Sequence, residues 1–259
     1  MSLPLVTLLT DFGHSDVYVG VMKGVMLTLN PQVQFVDLSH QVPPQDCRTA
    51  SFQLVQALPY FPPETVHLVV VDPGVGTSRR AIALKLAQGY CVGPDNGVFS
   101  HVLQHYPVEA VVELNRPQFW HQQTPSATFH GRDMFAPVAA HLTAGVPLAT
   151  LGSALDPSRL VRLPQLDYRL TVEGVQGWVQ AIDHFGNVIT TLPAALLQGR
   201  QGIVEIADQR LSVVKTYGDR PLGTCIALVG SHGFIEVAVT GGSAQHHLGC
   251  RNGDPVWLR

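Results

Sequence analysis

Through the first part of the chain, short apolar runs alternate with longer stretches of helical period. Leu5 to Thr10 reads as a strand ending at Asp11. Asp16 can cap a helix from Val17 to about Leu29, which Asn30-Pro31 stops. Gln34 to Leu38 is a second strand, a Pro43-Pro44 loop follows, and Asp46 caps a helix ending near Leu58. His67 to Val71 is short, β-branched and uninterrupted by polar alternation, which predicts a strand buried on both faces. This β-α-β-α-β order predicts a mostly parallel sheet with right-handed crossovers. Ala81–Leu86, Tyr90–Val92 and Val108–Leu114 add strands, Pro94-Asp95-Asn96-Gly97 is a turn, and Val98–His105 a short helix. Arg132 to Ala144 is helical in pattern, with Pro137 tolerable only near a first turn.

The pattern changes after about Pro164. From Leu170 onward, short alternating runs recur at close spacing: Leu170–Val175, Gly177–Ile182, Val188–Leu192, Ile203–Ile206, Leu211–Val214, Cys225–Val229, Phe234–Val239 and Val256–Leu258. Helical period is nearly absent, so a small antiparallel barrel or sandwich is expected. The expected fold is therefore an α/β domain over 1–163 with a mostly parallel central sheet, joined by a Pro-containing linker to a smaller all-β, barrel-like domain over 168–259.

Composition narrows the class. Of the 259 residues 46% are hydrophobic and 14% charged, a core-rich balance that often goes with subunit contacts. A formal charge of −3 and the lack of a basic stripe argue against nucleic acid. The four cysteines are scattered, with no C-x-x-C pair, so neither a zinc knuckle nor a disulfide framework is indicated. Asp11 interrupts the apolar start before it could serve as a signal core, and no apolar run approaches the ~20 residues of a membrane span. A soluble protein of a reducing cytoplasm is expected.

Candidate chemistry gathers where strands end. Asp11 and Asp72 each close a strand and each has a glycine two residues on; in a parallel sheet both reach the edge where ligands bind. Gly74-Val75-Gly76-Thr77 is neither a P-loop nor G-x-G-x-x-G, so neither a nucleoside triphosphate nor a dinucleotide is supported. Arg79 and Arg80 are adjacent and should point apart, one inward and one solvated. His130 and Asp133 of Thr128-Phe129-His130-Gly131-Arg132-Asp133 could join Asp11 and Asp72 around a metal, or His130 could be an ordinary loop histidine. Asp183-His184-Phe185-Gly186-Asn187 suits a plain turn, or a headgroup site with Phe185 stacking. Ser231-His232-Gly233-Phe234 is similarly a turn, His246-His247 reads as a surface loop, and helical Lys23 reads as solvated or at an interface.

Taken together, several segments resemble one family: Leu8-Leu9-Thr10-Asp11-Phe12-Gly13, Tyr18-Val19-Gly20 through Lys23-Gly24, Asp37-Leu38-Ser39-His40, Val71-Asp72-Pro73-Gly74-Val75-Gly76-Thr77, Pro94-Asp95-Asn96-Gly97, Thr128 to Asp133, and Asp183 to Asn187. The chain resembles the S-adenosyl-L-methionine (SAM) hydrolases, or SAM hydroxide adenosyltransferases, relatives of the fluorinases and chlorinases. The resemblance implies attack of hydroxide on ribose C5′, releasing L-methionine and adenosine, with SAM as substrate, no cofactor and no metal. It implies a homotrimer whose sites lie between one subunit's N-terminal domain and the next subunit's barrel. It implies Asp72, Arg79 and His130 as the water-activating triad and Asp11 as the holder of the ribose hydroxyls. Asp183, Asn187 and Ser231 match contacts at the methionine end, with Phe185 between the first two.

The alternatives are a 5′-halogenase and a non-catalytic SAM or adenosine sensor. Related halogenases have Arg where His232 follows Ser231, and relatives often carry Asn where Thr240 stands. A fluoride site in the relatives has serine at the position of Gly131 with tyrosine before it, and an insertion; here the pair is His130-Gly131 with no extra segment, which favours hydrolysis. The chemistry asks most of the nucleophile, since the sulfonium leaves readily. Making free hydroxide from water of pKa ≈ 15.7 at neutral pH costs roughly 12 kcal/mol. Arg79 can supply a fixed positive field, His130 can accept or shuttle the proton, and Asp72 can orient Arg79 and hold the water.

Overall fold

The computed structural model describes residues 4–164, 166–197, 199 and 202–259. The chain divides into two units, Met1–Leu163 and Pro164–Arg259.

The first unit is built on a seven-stranded sheet: β1 (Leu5–Thr10), β2 (Gln34–Ser39), β3 (Thr65–Val70), β4 (Ala81–Leu86), β5 (Gly89–Pro94), β6 (Ala110–Glu113) and β7 (Ser153–Ala154). Their spatial order is β2-β1-β3-β5-β4-β6-β7. β2, β1, β3 and β5 pair in parallel, whereas β4 runs antiparallel to both β5 and β6, so only β4 and β7 run against the rest. The mostly parallel sheet expected from the strand–helix order is present, with a tight β4–β5 hairpin interrupting it.

Helices cover both faces. α1 (Tyr18–Leu29) and α4 (Ala136–Thr143) pack where Val6, Leu8, Val66, Leu68 and Val70 point. α2 (Cys47–Ala57) and α3 (Ser100–His105) pack where Leu9, Val69 and Val71 point. With both pleat faces buried, β3 has no polar alternation, which is why it reads as a continuous apolar run. Asp46 caps α2 as expected, its carboxylate accepting from Thr49 N at 2.9 Å. Asp16 does not cap α1: the helix starts at Tyr18, after Val17, with no side-chain cap.

The region expected as one helix from Arg132 is two pieces. Gly131–Phe135 forms a π-turn that runs into α4. Pro137 has no N–H to offer the carbonyl four residues back, that of Asp133, which instead accepts from His121 N at 2.8 Å. The widened turn thus has a chemical cause and ties the loop before it to its neighbour.

The second unit is an eight-stranded antiparallel sheet: β8 (Arg169–Thr171), β9 (Gly174–Ile182), β10 (Val188–Pro193), β11 (Ile203–Ile206), β12 (Gln209–Ser212), β13 (Cys225–Val229), β14 (Phe234–Val239) and β15 (Pro255–Leu258). The path runs β12-β11-β15-β9-β10-β14-β13, with β8 off it beside β9. A bridge between Val213 and Ala227 links the two ends, so the sheet nearly closes. Val179, Val188, Val204, Ile235, Val237 and Val256 fill its interior. His246 and His247, expected on a loop, lie on a short exposed helix, α5 (Ala244–Leu248), whose first turn Ser243 caps.

Candidate active site

The first unit concentrates its reactive side chains where β1 and β3 end. After β3 the chain is held by the Val71 carbonyl, which accepts from Asn96 Nδ2 at 2.9 Å. Asp72 then begins a tight loop: Val75 N donates to Asp72 O, Thr77 N and its hydroxyl donate to Gly74 O, and Arg79 N donates to the Thr77 hydroxyl. This winding turns Arg79 back onto Asp72. Arg79 Nε lies 2.9 and 3.0 Å from the two Asp72 oxygens, Nη2 also donates to Oδ2, and the side chains are only 9% and 5% exposed. The guanidinium face lies 5.2 Å from the Phe135 ring.

The third member arrives from a distant segment. Arg79 Nη2 is 2.8 Å from His130 Nδ1. The meeting depends on Gly76, at φ +76°, where a Cβ would sit 2.2 Å from the Ala127 carbonyl oxygen. Only glycine permits that approach of the two loops. Burial, reinforced by the Arg79 charge, lowers the His130 pKa, so the ring is neutral at pH 7. A guanidinium has no lone pair, so Nδ1 must be the acceptor and the ring proton sits on Nε2. In this tautomer the Nε2–H of His130 is the group left to donate.

Asp72, His130 and Asp11 line one cavity of about 430 Å³, with Tyr18 and Phe129 as part of its wall. Phe12, Tyr18 and Phe129 form a mutual aromatic cluster with centroids 5.2–5.9 Å apart. Asp11 Oδ2 accepts from Gln45 N at 2.8 Å. Gln45 has φ +68° and also lines the cavity; nothing in its sequence context marks it.

Three other expectations resolve differently. Asp133 does not join the cluster, because Arg132 and Ser126 N take its carboxylate. Among the described residues no group of three or more His, Cys, Asp or Glu could hold a metal ion. Arg80 does point away from Arg79, but it is not simply solvated: it binds buried Asp95 and the Arg159 carbonyl. Lys23 is likewise paired, 2.7 Å from Asp37.

In the second unit, Asp183 makes a closed turn. Its Oδ1 accepts from Phe185 N and Asn187 N, and its Oδ2 from Asn187 Nδ2, at 2.8–2.9 Å. Phe185 is left 72% exposed and, with Asn187, Tyr217, Arg220, Leu222 and Thr240, lines a cavity of about 980 Å³. Thr240 directs its hydroxyl into the fold, donating to Pro221 O at 2.5 Å. Ser231 is exposed on the β13–β14 turn. Beside it, His232 Nε2 lies 2.9 Å from buried Glu236, which also accepts from the Tyr217 hydroxyl at 2.5 Å. Burial works to raise the Glu236 pKa, but these two bonds outweigh it and the net shift is downward. A lone Glu within the apolar run Phe234–Val239 was the available sequence signal for this cluster.

Residues 6–152 match the N-terminal domain of the SAM hydroxide adenosyltransferases, and residues 177–257 match their C-terminal domain. The chain belongs to the SAM hydroxide adenosyltransferase family. The (R)-S-adenosyl-L-methionine hydrolase of Thermus thermophilus is 45% identical over 258 residues, covering 96% of this chain and 97% of that protein. A solved structure from Thermotoga maritima, described as an uncharacterized conserved protein, superposes with a TM-score of 0.91 at 39% identity, covering 98% of this chain and all of that one. A fluorinase of Nocardia brasiliensis is more distant, at 26% identity, with 99% and 97% of the two chains covered. The family resemblance read from the motifs holds over both units.

Proposed function

We propose that this member of the SAM hydroxide adenosyltransferase family hydrolyses S-adenosyl-L-methionine to adenosine and L-methionine. The observation that carries the reading is the Arg79 fork, which ties the Asp72 carboxylate to a neutral His130 at the wall of one cavity. The nearly full-length identity to a (R)-S-adenosyl-L-methionine hydrolase supports it.

In this mechanism a water molecule lies between Asp72 and His130. Asp72, its orientation set by Arg79, accepts one water proton. The Nε2–H of His130 donates to the developing hydroxide, and the Arg79 charge behind both stabilises it in a site with little solvent access. The oxygen attacks C5′, the C5′–S bond breaks, and its electron pair passes to sulfur, which leaves as the neutral thioether of methionine. Asp72 then returns its proton to solvent. Asp11 holds the ribose hydroxyls, Asp183, Asn187 and Ser231 contact the methionine end, and Phe185 stacks nearby.

The working assembly in this proposal is a cytoplasmic homotrimer. The polar cavity of the first unit from one subunit is completed by the second unit of another, and no cofactor or metal is needed. No helix among the described residues is long and apolar enough to cross a membrane.

A halide reading fits less well. A Cβ at Gly131 would sit 3.1 Å from Met22 Sδ and 3.2 Å from the Phe129 ring, so a side chain there requires its neighbours to move. The deciding experiment is a chromatographic assay of SAM consumption, with and without chloride and with a chelator. Adenosine and methionine in every condition is the expected result. A 5′-chloro product, loss of activity restored by added metal, or tight retention of SAM without turnover overturns the reading.

A further inference from the structure

Asp37-Leu38-Ser39-His40 and Lys23 stand out in the sequence yet have no part in the chemistry above. In the structure they form one chain of contacts. Lys23 Nζ is 2.7 Å from Asp37 Oδ2, Asp37 Oδ1 is 3.1 Å from His40 Nε2, and His40 Nδ1 is 2.9 Å from the Thr10 hydroxyl. The His40–Asp37 approach is close but is not aligned as a hydrogen bond. His14 lies against the His40 ring at 5.4 Å, so Asp37, Lys23 and His14 are the ionisable groups beside it.

A hydroxyl, an imidazole and a carboxylate in series are the parts of a nucleophilic triad. Here they cannot act as one: Thr10 has no exposed surface and His40 only 2%, so no substrate reaches the hydroxyl. The array is instead directed at the backbone that carries Asp11. The Thr10 hydroxyl accepts from Phe12 N at 3.3 Å, its carbonyl accepts from Val42 N, and Gly13 N donates to the His40 carbonyl at 2.7 Å. The residues on both sides of Asp11 are thus pinned to the segment that follows β2. Gln45 N in the same segment holds the Asp11 carboxylate itself. The Thr10 oxygen thus accepts from Phe12 N and shares a second hydrogen bond with His40 Nδ1, while His40 Nε2 faces Asp37.

We propose that His40, acting through Thr10 and steadied by Asp37, is a positioning residue that aims Asp11 at the hydroxyls of its ligand. The inference rests on the reading that Asp11 holds the ribose of SAM and of the adenosine product. The test compares adenosine with 2′-deoxyadenosine by calorimetry, and measures SAM turnover, in wild type, Thr10→Val, Thr10→Ser and His40→Phe. Thr10→Val removes the hydroxyl at constant shape and Thr10→Ser restores it. Wild type should prefer adenosine. Thr10→Val and His40→Phe should lose most of that preference and raise KM for SAM about tenfold with kcat within about twofold, the mark of lost binding rather than lost chemistry. Thr10→Ser should behave as wild type. An unchanged preference in a folded Thr10→Val protein, or a fall in kcat at constant KM, overturns the proposal. So does a wild type indifferent to the 2′-hydroxyl. A wild type that prefers adenosine and loses the preference in Thr10→Val, but leaves SAM intact, overturns the hydrolase reading alone.

Discussion

Arg79 and His130, 51 positions apart, meet at 2.8 Å with the arginine donating to Nδ1. That single contact sets the tautomer of the histidine, because the guanidinium can only donate. It leaves the Nε2–H of His130 as the ring's donor. In solution, nitrogen chemical shifts of the imidazole should show the Nε2–H form of His130 near neutral pH. Arg79→Lys should move it toward a mixture of tautomers. A lysine keeps the charge but cannot hold Asp72 with two nitrogens while reaching His130, so kcat should fall about hundredfold or more. Turnover near wild type in Arg79→Lys would show that charge alone suffices.

Gly76 is the position where the loop leading to Arg79 touches the loop leading to His130. Gly76→Ala must accommodate both φ +76° and a methyl 2.2 Å from the Ala127 oxygen. Expected costs are about 1–3 kcal/mol of stability, with a larger loss of activity than the shift in Tm alone accounts for. Gly145→Ala is the control, since it shares a positive φ but has nothing within 4 Å. It should lose some stability and keep full activity.

His67 lies fully buried on β3, bonded through Nδ1 to the Thr7 hydroxyl. Burial lowers its pKa from 6.5 to about 4. Between those values the unfolded chain binds a proton that the folded chain refuses. Stability is thus fully present above pH 6.5 and falls as pH drops toward 4, by on the order of 3 kcal/mol. Urea denaturation at pH 6.5 and 4.5 should show the slope, and His67→Leu should flatten it.

Glu236 holds the second unit's polar cluster together. Glu236→Ala leaves the His232 and Tyr217 groups without their shared acceptor, at a cost of about 2–4 kcal/mol. Glu236→Gln keeps an acceptor oxygen and should cost less. Chemical denaturation of the full chain reads both. Equal losses in the two variants would mean that the negative charge, which both remove, and not a neutral acceptor or side-chain volume, is what matters at this position.

Much was legible in the residues alone. Apolar runs of the right length located most strands of both units, since burial on one or two faces leaves a local imprint; the two-residue, exposed β7 has no such run and could not be read from the sequence. The Asp46 cap and the turn around Pro94 to Gly97 were equally local. Motifs at the ends of β1 and β3 marked Asp11, Asp72 and Arg79, because a strand tip followed by glycine is a local feature too. Tertiary structure alone decided the rest. It paired Asp133 with Arg132 rather than with Asp72, sent Arg80 to Asp95, and made His130 a donor. It joined Lys23, Asp37, His40 and Thr10 into one chain. These outcomes hang on which partner lies within about 3 Å, and that depends on segments tens of residues apart packing on a common sheet. A run of residues carries its own periodicity and turn chemistry, but a proton's place on an imidazole is settled by whichever distant group the fold brings against it.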